Sequence, residues 1–170
     1  LRNPVNDAQA MAATLGSLGF TVTKLENASK GQMNDALRKF GDTIKTGGFG
    51  LFYFAGHGMQ VSGQNFMIPV DANIEREDEV AAEGIEMNLV LRKMDSAKNR
   101  LNIVILDACR NNPFARSFRS STRGLAAMDA PVSTLVAFST APGSVAADGS
   151  GSHGVYTEYL LRNLTEPGLK

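Results

Sequence analysis

Residues 49–58 read Phe-Gly-Leu-Phe-Tyr-Phe-Ala-Gly-His-Gly, and this stretch decides the fold. Its first seven residues are apolar almost throughout, and the run then breaks into Gly56-His57-Gly58. Two further runs share the pattern: 101–106, interrupted only by Asn102, and 134–138. Unbroken apolar runs of this length suit strands covered on both faces, as in parallel sheets with helices above and below. The expected class is therefore α/β.

Working outward, Ala8, Met11, Ala12, Leu15 and Leu18 recur at helical spacing. They predict an amphipathic helix capped by Asn6 or Asp7 and ended by Gly19. Residues 20–25 alternate imperfectly and predict an edge strand. Met33, Ala36, Leu37, Phe40 and Ile44 mark a second helix closed by Gly47 and Gly48. A small hairpin is expected across Ser62-Gly63, between 59–61 and 64–66, with a helix around 89–94 and a last helix over 155–164. Residues 111–132, rich in Ser, Arg and Asn, read as a long flexible loop of the kind that is functional or processed.

The chain has 170 residues, enough for one domain with its own core. Cys109 is the only cysteine, so no internal disulfide exists. The 17 Lys+Arg balance the 17 Asp+Glu. That balance argues against a nucleic-acid footprint or a polybasic membrane patch. No apolar run approaches a membrane span, and the opening residues do not read as a charged-then-apolar leader.

Open parallel sheets place ligands beyond the carboxyl ends of their strands. The 49–55 run leads into His57, and the 101–106 run into Asp107-Ala108-Cys109-Arg110. If these strands are parallel neighbours, His57 and Cys109 leave one rim within mutual reach. An imidazole beside a thiol helps to form the thiolate nucleophile and returns a proton to the leaving amine. The N–H groups of Gly58 and Cys109 are candidate oxyanion donors, and the flanking glycines admit a substrate backbone. Taken singly, Cys109 also reads as a small core residue and His57 as a turn residue. Zinc lacks ligands, since one Cys and two His supply at most three at unrelated spacings.

Asp107-Ala108-Cys109-Arg110 resembles the caspase signature Gln-Ala-Cys-[Arg/Gln/Gly]-Gly, whose His lies about 50 residues upstream; here the interval is 52. Tyr53-Phe54-Ala55-Gly56-His57-Gly58 resembles the histidine turn of the same superfamily. Asn6-Asp7-Ala8, ahead of a helix and the Gly19-Phe20 break, is similar to metacaspases and their bacterial relatives, the orthocaspases. The resemblance covers residues 1 to about 164. It implies a caspase-like (caspase-hemoglobinase) three-layer sandwich with a mostly parallel central sheet and helices on both faces. Residues 1–170 would form one peptidase domain with a linker at about 111–132.

The same resemblance implies Cys109 as nucleophile and His57 as general acid/base of a cysteine endopeptidase working through a thioester. It implies an acidic pocket from Asp7 and Asp107, favouring substrates with Arg or Lys at the cleaved position, because a desolvated carboxylate needs a cationic partner. Before the resemblance, Asp7 reads equally as a helix cap and Asp107 as a buried acceptor. Ser139 and Thr140, in the stretch Phe138-Ser139-Thr140-Ala141-Pro142-Gly143, become a substrate-binding edge. Arg116, Arg119 and Arg123 become candidate self-cleavage sites, against the plainer reading of a solvated basic loop. His153, in a glycine-rich rim, reads as a surface residue.

Departures stand beside these matches. Ala55 and Pro4 occupy positions where metacaspases often carry Ser and Cys or Gly. The family's first, central strand has no counterpart here, so the expectation is that Leu1 is not the natural start and that a strand comes from the chain's own precursor or a neighbouring molecule. Calcium activates several metacaspases, but no cluster has the spacing of a defined calcium loop; no cofactor or obligatory metal is expected. Peptides or proteins are the expected partners, and the compartment is open between cytoplasm and periplasm. Two rivals remain: a catalytically silent caspase-like scaffold or signalling module, and a flavodoxin-like phosphoacceptor domain using Asp107.

Overall fold

A computed structural model of the chain describes residues 3–109, 124–140 and 151–166. Helices α1 (Pro4–Ser17) and α2 (Lys30–Ile44) lead into β1 (Phe49–Val61), which turns into β2 (Gln64–Met67). A 3-10 turn (Glu77–Glu79), α3 (Val80–Glu83) and the two-residue β3 (Ile85–Glu86) follow, then α4 (Asn88–Ala97), β4 (Leu101–Cys109), β5 (Thr134–Phe138) and α5 (Val155–Leu164). The sheet order is β3-β2-β1-β4-β5. β1, β4 and β5 are parallel, whereas β1–β2 and β2–β3 are antiparallel, so the sheet is mixed. The hairpin is closed by Ser62 and Gly63, both at positive φ, the twist a two-residue hairpin turn demands.

Strand alternation divides the side chains between two faces. Val104, Leu106 and Ala108 of β4 join Leu37 and Ile44 of α2 and Leu91 and Met94 of α4 in the main core. The other face meets α1, which packs on β1 and on α5. This is the three-layer arrangement that the three apolar runs predicted, with helices on both sides.

Three local expectations change. Residues 20–25 form no strand, and Val22 and Leu25 are exposed. A strand exists only through its ladder, and among the described residues no strand pairs with this segment. Helix α1 starts earlier than predicted, with Asn3 at the N-cap and Pro4 in the first turn. Proline's fixed φ is preorganised for that position, which leaves Asp7 inside the first turn rather than capping it. In the predicted loop, the described part 124–132 has no regular element yet is anchored. Leu125 is buried, and the Ala126 N–H donates to Asn65 Oδ1 at 2.7 Å while Asn65 Nδ2 donates to the Ala126 carbonyl at 2.8 Å.

Candidate active site

Two parallel strands deliver the first pair of residues. β1 and β4 run in register from Phe49 opposite Leu101 to His57 opposite Cys109. Neighbouring strands lie about 4.8 Å apart, so the backbones of His57 and Cys109 meet at the carboxyl end of the sheet. The Nδ1 atom of His57 is buried, and its carbonyl accepts the Ile68 N–H at 3.0 Å. That bond on one side and β4 on the other fix the histidine's backbone. The flanking glycines answer to packing. A Cβ on Gly58 would stand 2.9 Å from the Ala108 Cβ, and one on Gly56 would stand 2.9 Å from the Phe54 ring. Close approach alone therefore demands glycine at 58, against the rigid Ala108 methyl, whereas at 56 the far end of the Phe54 ring would have to give way.

A second group assembles on the α1/α5 face, between residues far apart in sequence. Asp7 is 2% exposed. Its Oδ1 lies 2.8 Å from His153 Nδ1, and the Gly154 N–H reaches both carboxylate oxygens at 3.3 and 3.2 Å. Asn6 Nδ2 donates to the Ser152 carbonyl at 3.0 Å, tying the first turn of α1 to the same segment. On β4, Asp107 Oδ2 accepts the Thr157 hydroxyl at 2.6 Å, and the Tyr53 hydroxyl lies 2.6 Å from Thr157 Oγ1.

Asp7 and Asp107 converge. A Cβ placed on Gly154 would lie 3.1 Å from Asp107 Oδ2 and 3.3 Å from Asp7 Oδ2. The point between them sits at the amino end of α5, for which Gly154 is the N-cap. Unpaired N–H groups and the positive end of the helix dipole make that end favourable for negative charge. Even so, burial pushes the Asp7 carboxyl above its usual range, and the charge of Asp107 adds to the rise. The hydrogen bonds from His153 and Gly154 pull it back only in part. Burial also drives the Tyr53 hydroxyl far up, so it stays protonated and able to donate.

The remaining predicted residues divide. The Ser139 N–H donates to the Leu106 carbonyl at 3.0 Å, which holds Ser139 beside Asp107, and its Oγ is buried without a hydrogen-bond partner among the described residues. Thr140 follows it directly. Arg116, Arg119 and Arg123 lie outside the described residues. His153, read from the sequence as a surface residue, instead stands against Asp7 with its side chain 29% exposed. Thr157 and Tyr53 escaped sequence reasoning as site residues. Only alternation along 49–58, which puts Tyr53 and His57 on one face, pointed that way. Among the described residues no group of three or more His, Cys, Asp or Glu side chains could hold a metal ion.

Comparison with known proteins gives the family. The chain is 27% identical to the human protein named mucosa-associated lymphoid tissue lymphoma translocation protein 1, over 98% of its own length. Its mouse homolog matches to the same extent. The chain spans 20% of the length of each of these relatives. The family model described as "Caspase domain" matches residues 1–170. The chain therefore belongs to the caspase-domain family, whose kind of chemistry is that of a cysteine peptidase.

Proposed function

We propose that this domain is a cysteine endopeptidase of the metacaspase or orthocaspase type, hydrolysing peptide bonds after Arg or Lys. The observation that carries the reading is the convergence of Asp7 and Asp107 beside the strand end that holds Cys109. The buried Asp7 and the half-buried Asp107 carboxylates repel each other in one place, and a guanidinium or ammonium entering between them removes that cost and gains charge-assisted hydrogen bonds. In the proposed reaction His57 takes the thiol proton and the Cys109 sulfur attacks the scissile carbonyl. The oxyanion is met by backbone N–H groups, Gly58 and Cys109 being the candidates. The C–N bond then breaks as His57 protonates the amine, and water cleaves the thioester. Ser139 and Thr140, directly after β5, are the proposed substrate-binding edge, Ser139 being held beside Asp107 by its N–H bond to the Leu106 carbonyl.

The decisive test is hydrolysis of fluorogenic peptides ending in Arg, Lys or Asp by the wild type and by Cys109→Ala. Turnover of the basic peptides by the wild type alone is expected. Activity confined to Asp peptides would reject the acidic pocket, and no turnover of any would favour a silent scaffold. Such an enzyme also meets basic residues in its own linker, and cleavage after Arg116, Arg119 or Arg123 is expected. Intact-mass measurement decides this: the same fragments from Cys109→Ala would show that another protease made them.

A further inference from the structure

We propose that Thr157 is a positioning residue for substrate recognition: its hydroxyl, held in turn by Tyr53, fixes the Asp107 carboxylate in the orientation that receives the substrate's basic side chain. This rests on the peptidase reading above and adds to it the device by which one half of the pocket is set.

Thr157 is fully buried in α5, three residues beyond the N-cap. A threonine inside a helix ordinarily turns its hydroxyl to a backbone carbonyl one turn earlier. Here it crosses to another element instead, and its partner is 50 residues away in sequence. The direction of the chain of bonds is forced. A hydroxyl has one proton, and Thr157 gives its own to Asp107 Oδ2. Tyr53 must therefore donate to Thr157 Oγ1 across their 2.6 Å contact. The protons of both hydroxyls upstream of Asp107 are then committed to this chain.

Stiffness makes this a positioning device. A β-branched side chain in a helix has few χ1 states, so the backbone of α5 dictates where the Thr157 oxygen stands. A carboxylate has no such restraint, because its terminal torsion is broad. One short hydrogen bond at Oδ2 removes that freedom and leaves further lone pairs on Asp107 for a ligand. The same helix places Gly154 between the two carboxylates, so α5 sets both the gap and the angle of one wall. Thr157 itself is behind Asp107 and needs no contact with substrate.

Steady-state kinetics on an Arg-terminated fluorogenic peptide tests this, with Thr157→Val, Thr157→Ser, Tyr53→Phe, Asp107→Asn and the Thr157→Val/Asp107→Asn double variant. Recognition of the basic side chain is made alike in the ground and transition states, so its loss appears in KM. Thr157→Val should raise KM roughly tenfold, the scale of a lost hydrogen bond to a charged group, with kcat within about twofold. Thr157→Ser should restore most of it, and Tyr53→Phe should raise KM roughly threefold. In the Asp107→Asn background the Thr157→Val change should have little further effect. Unchanged KM in both Thr157→Val and Tyr53→Phe overturns the proposal, as does a KM rise that persists undiminished without the Asp107 carboxylate. If Thr157→Val fails to fold, Tyr53→Phe and the serine variant carry the same decision. A wild type that turns over no basic peptide instead sinks the functional reading, a result distinct from any of these.

Discussion

The two faces of one sheet are built on opposite principles. On the α2/α4 face, Leu37, Ile44, Leu91, Met94, Val104 and Leu106 close an apolar core, with Asn99 and Asn102 buried at its edge, where Asn99 Nδ2 donates to Asn102 Oδ1 and Asn102 Nδ2 to the Met94 carbonyl. On the α1/α5 face, the same strands bury Asp7, Thr157 and most of Tyr53 and Asp107 against only a few apolar anchors, Met11 and Leu15 among them. Burying apolar surface stabilises the fold, while burying a carboxylate costs free energy unless its partners are in place. The difference teaches a division of labour: stability resides chiefly in one layer, and on the proposed reading the costly, polar layer is kept for recognition.

Cutting into the apolar face is the first way to break that comparison. Met94 is fully buried, and Met94→Ala should lower stability by about 2–5 kcal/mol through lost transfer energy and a residual cavity. Chemical denaturation measures this. Peptide KM, read below the unfolding temperature, should stay within about twofold of wild type. A KM shift as large as that of a pocket variant would mean that the two faces are not separable.

Asp7→Asn cuts the other face and should act in the reverse sense. Loss of one pocket charge should reduce kcat/KM for Arg peptides by about 10- to 100-fold, a charged hydrogen bond's worth. Stability should rise near neutral pH. The sign follows from burial, which holds the folded carboxyl above its ordinary 3.8. Since the unfolded chain releases this proton at lower pH than the folded one, Asp7's favourable share of stability is complete below 3.8 and is lost as pH climbs to the folded value. Thermal melts across that window should therefore show Asp7→Asn gaining on the wild type as pH rises and then holding a constant lead. A lead that shrinks with rising pH would reverse the assignment of Asp7 as a carboxylate disfavoured by burial.

The contrast between faces also explains what was legible in the sequence. The apolar face announces itself through runs such as 49–55 and 101–106, because apolar periodicity is a local signal, and β1, β4 and β5 appear where those runs fall. The meeting of the His57 and Cys109 backbones was readable because each lies within three residues of the end of such a run, and the parallel register brings them opposite each other, although β1 continues past His57 to Val61. The polar face has no comparable signature. His153 meets Asp7 across 146 residues and Thr157 meets Asp107 across 50. A hydroxyl one turn into a helix, or an imidazole just ahead of its N-cap, carries no periodicity that distinguishes it from a surface residue. Segment 20–25 failed for a related reason: its alternation is local, but strandhood depends on a neighbour that local pattern cannot supply.

The smallest change probes the gap itself. Gly154 has φ −59° and ψ 144°, which any residue adopts, so Gly154→Ala imposes no backbone strain. Alanine caps a helix less well than glycine, but it also narrows the unfolded ensemble, and the two effects oppose each other at under about 1 kcal/mol each. Stability should hardly move. The new methyl, however, would stand 3.1 Å from Asp107 Oδ2 and 3.3 Å from Asp7 Oδ2. Those contacts are tight enough to push both oxygens apart by a few tenths of an ångström, and they put an apolar group where the cation is to sit. KM for Arg peptides should rise about three- to tenfold, roughly the cost of one weakened charged contact, with kcat little changed. A Gly154→Ala variant with wild-type stability and wild-type KM would mean that substrate does not enter between these carboxylates, and the polar face would then need another reason for its cost.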